Sequence, residues 1–369
     1  MKKTLHLVAG ARPNFMKIAP IVRALQARPG LFDYRIVHTG QHYDREMSDV
    51  FFEELGIPKP DFHLEAGGGS HATQTAKIMT AYEAILERER PDCVVVVGDV
   101  NSTLACSIVA KKLHIPVAHV EAGLRSGDLR MPEEINRLVT DSITDWFFVT
   151  EPSGRENLLR EGKPEERVFF VGHVMVDNLF YQRDRLREAD RGDFESEALK
   201  KRLGRYGVVT MHRPSNVDDE RTLRGIAGAF RQISAKLPLV FPVHPRTRGN
   251  LEKFGIDLGP NVLLTKPLSY MEFLNLWQDA SLILTDSGGL QEETTALSIP
   301  CVTLRENTER PVTVDEGTNT IVGVDPERIV TAADAVLAGR GKAGRRPQLW
   351  DGRAAQQIVE RLAEQLAGT

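Results

Sequence analysis

The sequence predicts two α/β domains, each a parallel sheet covered by helices on both faces. Short β-branched or aromatic runs alternate with helical segments from the N-terminus onward. A polar stretch at 183–205 interrupts that alternation, which then restarts. At 369 residues the chain also exceeds what one ordinary core organises.

The first set of runs is "TLHLVAG", "YRIVHTG", "CVVVVGD", "PVAHVEA", "WFFVTE" and "RVFFVG", most followed by a helical segment. Such short runs suit strands buried on both faces. The polar stretch, "RDRLREADRGDFESEALKKRLGR", contains no apolar strand and reads as a helix continuing into a linker. The second set is "YGVVTMH", "PLVFPVH", "NVLLTKP", "SLILTDS" and "PCVTLRE". At the end, "WDGRAAQQIVERLAEQL" places Ala354, Ile358, Leu362 and Leu366 on one face of a closing helix. The expected division is an N-terminal domain over 1–172, a C-terminal domain over 173–352, and a helix over 353–369 packing back on the first.

A net charge of -4 provides no polycation for nucleic acid. The start "MKKTLHLVAG" resembles a secretion signal only briefly, and no apolar run approaches the roughly 20 residues that span a bilayer. Cys93, Cys106 and Cys301 each lie in an apolar run, which fits buried thiols and a reduced cytoplasm.

In open parallel sheets ligands bind beyond the carboxyl ends of the strands, and here those ends are polar. They carry Arg12 and Lys17, Gln41 and His42, Asp99 and Asn101, Glu121 and Arg125, then His212 and Arg213, His244 and Arg246, and "TDSGGLQEE". In the last, Ser287, Gly288 and Gly289 open a helix whose free N–H groups suit phosphate; a capped helix without ligand is the competing reading. Arg12, His212 and Arg213 favour a diphosphate, and Glu293, about a turn and a half into the helix, suits a ribose diol. "GARPNF" is not the glycine fingerprint of a dinucleotide site, so no nicotinamide cofactor is expected. "EAGGGSH" lacks a phosphate-loop lysine and reads as a mobile loop. The histidines are scattered, and His38 and His42 straddle a strand end, so no metal site is expected.

The stretch "HVEAGLRSGDLRMPEEINR" is unusually charged for the end of a buried strand. Asp99 and Glu121 emerge from buried runs, and Glu133 opens the following helix; all three are acid/base candidates. Glu134 reads as a helix-end charge, Arg125, Arg130 and Arg137 as holders of the loop, and Asp128 has no assigned part. Clustered carboxylates raise one another's pKa, so one can serve as acid and another as base. Two chemistries follow with a sugar nucleotide: transfer of the sugar, or elimination and re-addition of the nucleotide across C1 and C2.

"GARPNFMKIAP", "VVGDVNST", "HVEAGLRSGD", "MPEEINRLVTD", "VTMHRPSN", "TDSGGLQEE" and "RENTERPVTVDEGTN" occur in this order across nearly the whole chain. Together they resemble the bacterial non-hydrolysing UDP-N-acetylglucosamine 2-epimerases. The resemblance implies two Rossmann-like doubly wound domains facing a cleft, the glycosyltransferase-B type. It also implies interconversion of UDP-N-acetylglucosamine and UDP-N-acetylmannosamine, supplying cell-surface polysaccharide, with no cofactor. The expected partners are a UDP-sugar and a second copy in a homodimer.

Carried onto matching positions, Asp99, Glu121 and Glu133 form the acid/base set, and His212 assists catalysis. Arg12, His212, Arg213, Ser287, Gly288 and Gly289 hold the diphosphate and Glu293 the ribose; Lys17 supports the first loop, and Arg310 lies near the substrate. Gln41, Arg213 and His244 match parts of a second, activating UDP-N-acetylglucosamine site. Asn14, "GDVNST", His173 and the short segment between Leu129 and Pro132 depart from the usual pattern. They leave open a UDP-diacetamido-uronic acid as substrate. A hydrolysing epimerase and a glycosyltransferase are the rival activities.

Overall fold

The computed structural model describes residues 2–41 and 49–368. The chain divides into two compact units, Met1–Phe180 with Gln348–Thr369, and Tyr181–Pro347. His42 lies outside the described residues.

The first unit contains β1 (Lys3–Ala9), β2 (Phe32–His38), β3 (Phe62–His63), β4 (Cys93–Val97), β5 (Val117–Val120), β6 (Trp146–Val149) and β7 (Val168–Phe170). They form one parallel sheet in the order β3-β2-β1-β4-β5-β6-β7. The connections carry α1 (Arg12–Gln26), α2 (Asp49–Leu55), α3 (His71–Leu86), α4 (Asn101–Lys112), α5 (Pro132–Ile143) and α6 (Pro152–Arg160), and α7 (Val174–Glu188) leads onward. Every residue of β4 is buried, as a strand covered on both faces requires. On one face Leu7, Val95 and Val97 share a core with Phe15, Ile18 and Val22 of α1. On the other, Val94 and Val96 join Ile78 and Tyr82 of α3 and Val109 of α4.

The second unit contains α8 (Glu195–Leu203), β8 (Gly207–Thr210), α9 (Pro214–Val217), α10 (Glu220–Ser234), β9 (Leu239–Pro242), α11 (Pro245–Lys253) and β10 (Val262–Thr265). It continues with α12 (Tyr270–Trp277), β11 (Leu282–Thr285), α13 (Gly288–Ala296), β12 (Cys301–Thr303), α14 (Pro311–Asp315), β13 (Asn319–Ile321) and α15 (Pro326–Leu337). Its sheet is also parallel, in the order β10-β9-β8-β11-β12-β13. The chain then returns to the first unit as α16 (Ala354–Ala367), whose Ala354, Ile358, Val359, Leu362 and Leu366 are buried in the core that holds α1.

The doubly wound α/β class is as expected, with a strand at each predicted run. β3 and β13 were not expected: they have 2 and 3 residues, lie at sheet edges, and stand outside any long apolar run. The polar stretch 183–205 is more than a linker, because α8 docks on α12. Lys200 donates to Asn275 O and Oδ1, each at 3.1 Å, and Asn275 Nδ2 donates to Ser196 Oγ at 3.0 Å. A docking made of polar bonds leaves little apolar periodicity to read. In both sheets the winding reverses at the centre, between β1 and β4 and between β8 and β11, which is where such folds bind ligands.

Candidate active site

Asp99 and Glu121 stand just past the carboxyl ends of β4 and β5, which are neighbours in the sheet. Asp99 is part-exposed, and its Oδ2 accepts from Arg137 Nε at 3.0 Å and Nη2 at 2.8 Å. Glu121 is buried, and its Oε2 lies 2.6 Å from Lys17 Nζ. Its φ of 75° is a conformation that a non-glycine residue adopts only when its surroundings hold it there. Each acid therefore meets a cation at its strand end. Glu133 lines a pocket of about 290 Å³ together with Asp99, Asn101, Asn136 and Gln41. Gln41 Oε1 accepts from Ser102 N at 3.0 Å and Ser102 Oγ at 2.7 Å, fixing its amide there. Within the segment "EAGGGSH" the Ser70 hydroxyl caps α3 by accepting from Thr73 N, and the helix so started brings His71 and Gln74 to the same pocket.

The loop from Glu121 to α5 is tied down by charge. Arg125 pairs with buried Asp141 and with Glu161, while Arg130 donates to Asp128, each at 2.8 Å. Asp128 thus stabilises its own turn by also accepting from Arg130 N. Glu134 corrects the sequence reading. It is buried, and accepts from Ser126 N at 2.9 Å, Gly127 N at 3.0 Å and Arg137 Nη1 at 2.6 Å. Burial opposes ionisation, but these donors hold its carboxyl below the usual range. It anchors the loop rather than simply complementing a helix dipole. Asn136 completes the clamp, with Nδ2 donating to Asp99 O at 2.9 Å and Asn101 Oδ1 at 3.2 Å. Sequence reading missed Asn136 and Asp141; the signal was Glu134, Arg137 and Asp141 at i, i+3 and i+7, a single helical face.

Arg12 opens α1 and lies over the Phe51 ring at 5.1 Å. Asn14, one of the departures, joins the first loop to β4: its Oδ1 accepts from Ala11 N at 3.1 Å and its Nδ2 donates to Val97 O at 3.2 Å. His173 is buried edge-on to Trp350, and its Nδ1 accepts from Met175 N at 3.2 Å.

In the second unit, buried Asp286 ends β11 and organises the loop after β8. It accepts from His212 N at 3.0 Å and Arg213 N at 2.9 Å, and its Oδ1 lies 3.2 Å from His212 Nδ1. The His212 ring stays half-exposed, and Arg213 Nε donates to Asp286 O at 3.1 Å. Ser287 precedes α13 without capping it through its side chain. A Cβ at Gly289 would meet nothing within 4 Å, so this helix start is open. Glu293 is buried, and its Oε1 accepts from Tyr270 O–H at 3.0 Å. Burial first, and neighbouring Glu292 second, push its carboxyl up to about 7 against that hydrogen bond. Arg310 pairs with Glu292, and exposed His244 caps α11, its Nδ1 accepting from Arg246 N at 3.3 Å. Among the described residues no three His, Cys, Asp or Glu side chains converge to hold a metal ion.

A family model described as UDP-N-acetylglucosamine 2-epimerase matches residues 23–363. The chain belongs to this family. The Methanocaldococcus jannaschii epimerase is 42% identical over 360 residues, covering 93% of this chain and 97% of that protein. The UDP-2,3-diacetamido-2,3-dideoxy-D-glucuronate 2-epimerase of Pseudomonas aeruginosa is 39% identical over 360 residues, covering 97% of this chain and 98% of its own. The solved M. jannaschii epimerase in complex with UDP-GlcNAc and UDP superposes with a TM-score of 0.84 at 39% identity, covering 98% of this chain and 99% of that one. The family's two sheets are thus the architecture on which these acids and the open α13 are carried.

Proposed function

We propose that this protein interconverts UDP-N-acetylglucosamine and UDP-N-acetylmannosamine. The observation that carries this reading is the pair of carboxylates past adjacent strands, Asp99 on Arg137 and Glu121 on Lys17, in a chain of this family. The C2 proton is not beside a carbonyl, so its removal is coupled to loss of the group on C1. The C2–H bond breaks toward a carboxylate, the C1–O bond breaks with its electron pair leaving on UDP, and a C1=C2 double bond forms. Re-addition of UDP at C1, with a proton delivered to the other face of C2, inverts that carbon. Two faces require two groups, which Asp99 and Glu121 supply, with Glu133 and His212 assisting. Arg12, His212, Arg213, Ser287, Gly288 and Gly289 stabilise the departing diphosphate, Glu293 accepts from the ribose diol, and Arg310 lies near the substrate. Gln41, Arg213 and His244 serve an activating sugar nucleotide.

Incubation with UDP-N-acetylglucosamine in D2O, without acceptor, tests the reading. Deuterium at C2 of intact UDP-sugar is expected; free sugar or an unchanged spectrum overturns it. Asp99→Asn and Glu121→Gln should each lower kcat by about 10²–10⁴-fold while UDP still binds. The Pseudomonas relative motivates a second arm with a UDP-diacetamido-uronic acid, and faster turnover there would reassign the sugar.

A homodimer in a reducing compartment completes the proposal. It is supported by exposed Leu129 (66%), Ile135 (47%) and Val139 (36%) on and before α5, and by three free, buried cysteines. Sedimentation should give a dimer, and Ile135→Asp should shift it to monomer; a monomeric parent removes this part.

A further inference from the structure

The reaction leaves one fully buried polar pair unused. His119 on β5 and Asp141 on α5 are both 0% exposed. His119 Nδ1 lies 2.7 Å from Asp141 Oδ1, and Nε2 lies 2.8 Å from Gly98 O. A backbone carbonyl only accepts. Nε2 therefore donates to Gly98 O, and Nδ1 is hydrogen-bonded to Asp141 Oδ1. Burial opposes ionisation of Asp141, but His119 and Arg125 hold its carboxyl below the usual range. The second Asp141 oxygen accepts from Gly123 N at 3.0 Å and from Arg125 Nη1 at 2.8 Å.

The two backbone groups so held, Gly98 O and Gly123 N, belong to the turns that present Asp99 and Glu121. Both glycines have positive φ, 68° and 79°, and a Cβ at Gly123 would lie 2.2 Å from Gly154 O. Glu121 itself, a non-glycine residue, stands at φ 75°, so its turn is a conformation that packing and hydrogen bonds must hold. We propose that His119 and Asp141 are positioning residues for the epimerisation, one buried pair that sets both acid-bearing turns at once. The inference rests on the reading of Asp99 and Glu121 as the acid/base pair. A buried pair that merely fastens β5 to α5 would change how much protein folds, not how fast each folded molecule works.

The test uses the full chain with His119→Gln, Asp141→Asn, their combination, and the milder Arg125→Gln. The folded fraction comes from urea unfolding followed at Trp146 and Trp350, both in the first unit. The expected result is kcat per folded molecule down by about 100-fold in the first two variants, since misplacement by about 1 Å costs this much. UDP affinity should stay within about 3-fold, and the limbs of the kcat/KM pH profile should move. The combination should be no worse than either single change, as for residues that act as a unit. Arg125→Gln should lower kcat about 3–10-fold, and it decides the matter if the buried variants do not fold. Unchanged kcat per folded molecule with superimposable pH profiles, in every variant that folds, overturns the proposal. A parent that places no deuterium at C2 overturns the functional reading instead.

Discussion

Glu293 combines two demands that pull its proton in opposite directions. Its buried site favours the neutral acid, whereas a ribose diol is best met by the carboxylate. Its folded pKa, about 7, lies above the roughly 4.3 of an unfolded glutamate, so its contribution to stability is present below about pH 4 and lost as pH rises through 7. From pH 6 to pH 8 the protein should lose roughly 1 kcal/mol of stability through this group. UDP should bind about tenfold more tightly over the same interval. Glu293→Gln should flatten both profiles, measured by urea unfolding and calorimetry; unchanged slopes would assign the pH response elsewhere. Such coupling was not legible in the sequence, which identified Glu293 by its offset from "DSGG" but not Tyr270, 23 positions earlier, as its partner. Glu134 was misread for the same reason. Its position beside a helix start suits dipole complementarity, and only the returning Ser126–Gly127 backbone shows what the carboxylate holds.

At the scale of elements, strand ends were legible and side-chain clamps were not. β-branched runs identify strands, and residues after them identify where ligands bind, so Asp99, Glu121 and "DSGG" could be marked without coordinates. The clamp made by α5 needed the helix to be placed, because Glu134, Arg137 and Asp141 reach partners far off in sequence. α13 offers the cleanest test of a phosphate cradle against an ordinary capped helix. At Gly289 a methyl group meets nothing, so Gly289→Ala should leave stability unchanged or raise it by about 0.5–1 kcal/mol. The same methyl would crowd a phosphate brought against the helix start, and UDP affinity should fall at least about tenfold by calorimetry. Retained affinity would mean that the helix start carries no ligand.

On the scale of the whole molecule, the chain's two ends build one unit and its middle builds the other. α16 buries Ile358, Val359, Leu362 and Leu366 beside α1. At about 1.5–3 kcal/mol for each buried aliphatic side chain, their removal rivals the roughly 5–15 kcal/mol by which a domain is stable. Truncation before Gln348 should therefore leave the first unit unfolded while residues 181–347 keep a cooperative urea transition; a truncated protein with full Trp146 burial would contradict this. The same connectivity orders events during synthesis. The seven-stranded sheet is translated by Phe170, but the helix that closes one of its faces ends at Ala367. At about 5–20 residues per second, that face waits roughly 10–40 s for its cover. During this interval the ribosome emits the middle unit, whose elements are contiguous in sequence. Translation pauses near the 3′ end of the message should thus bear on the yield of the protein's first half.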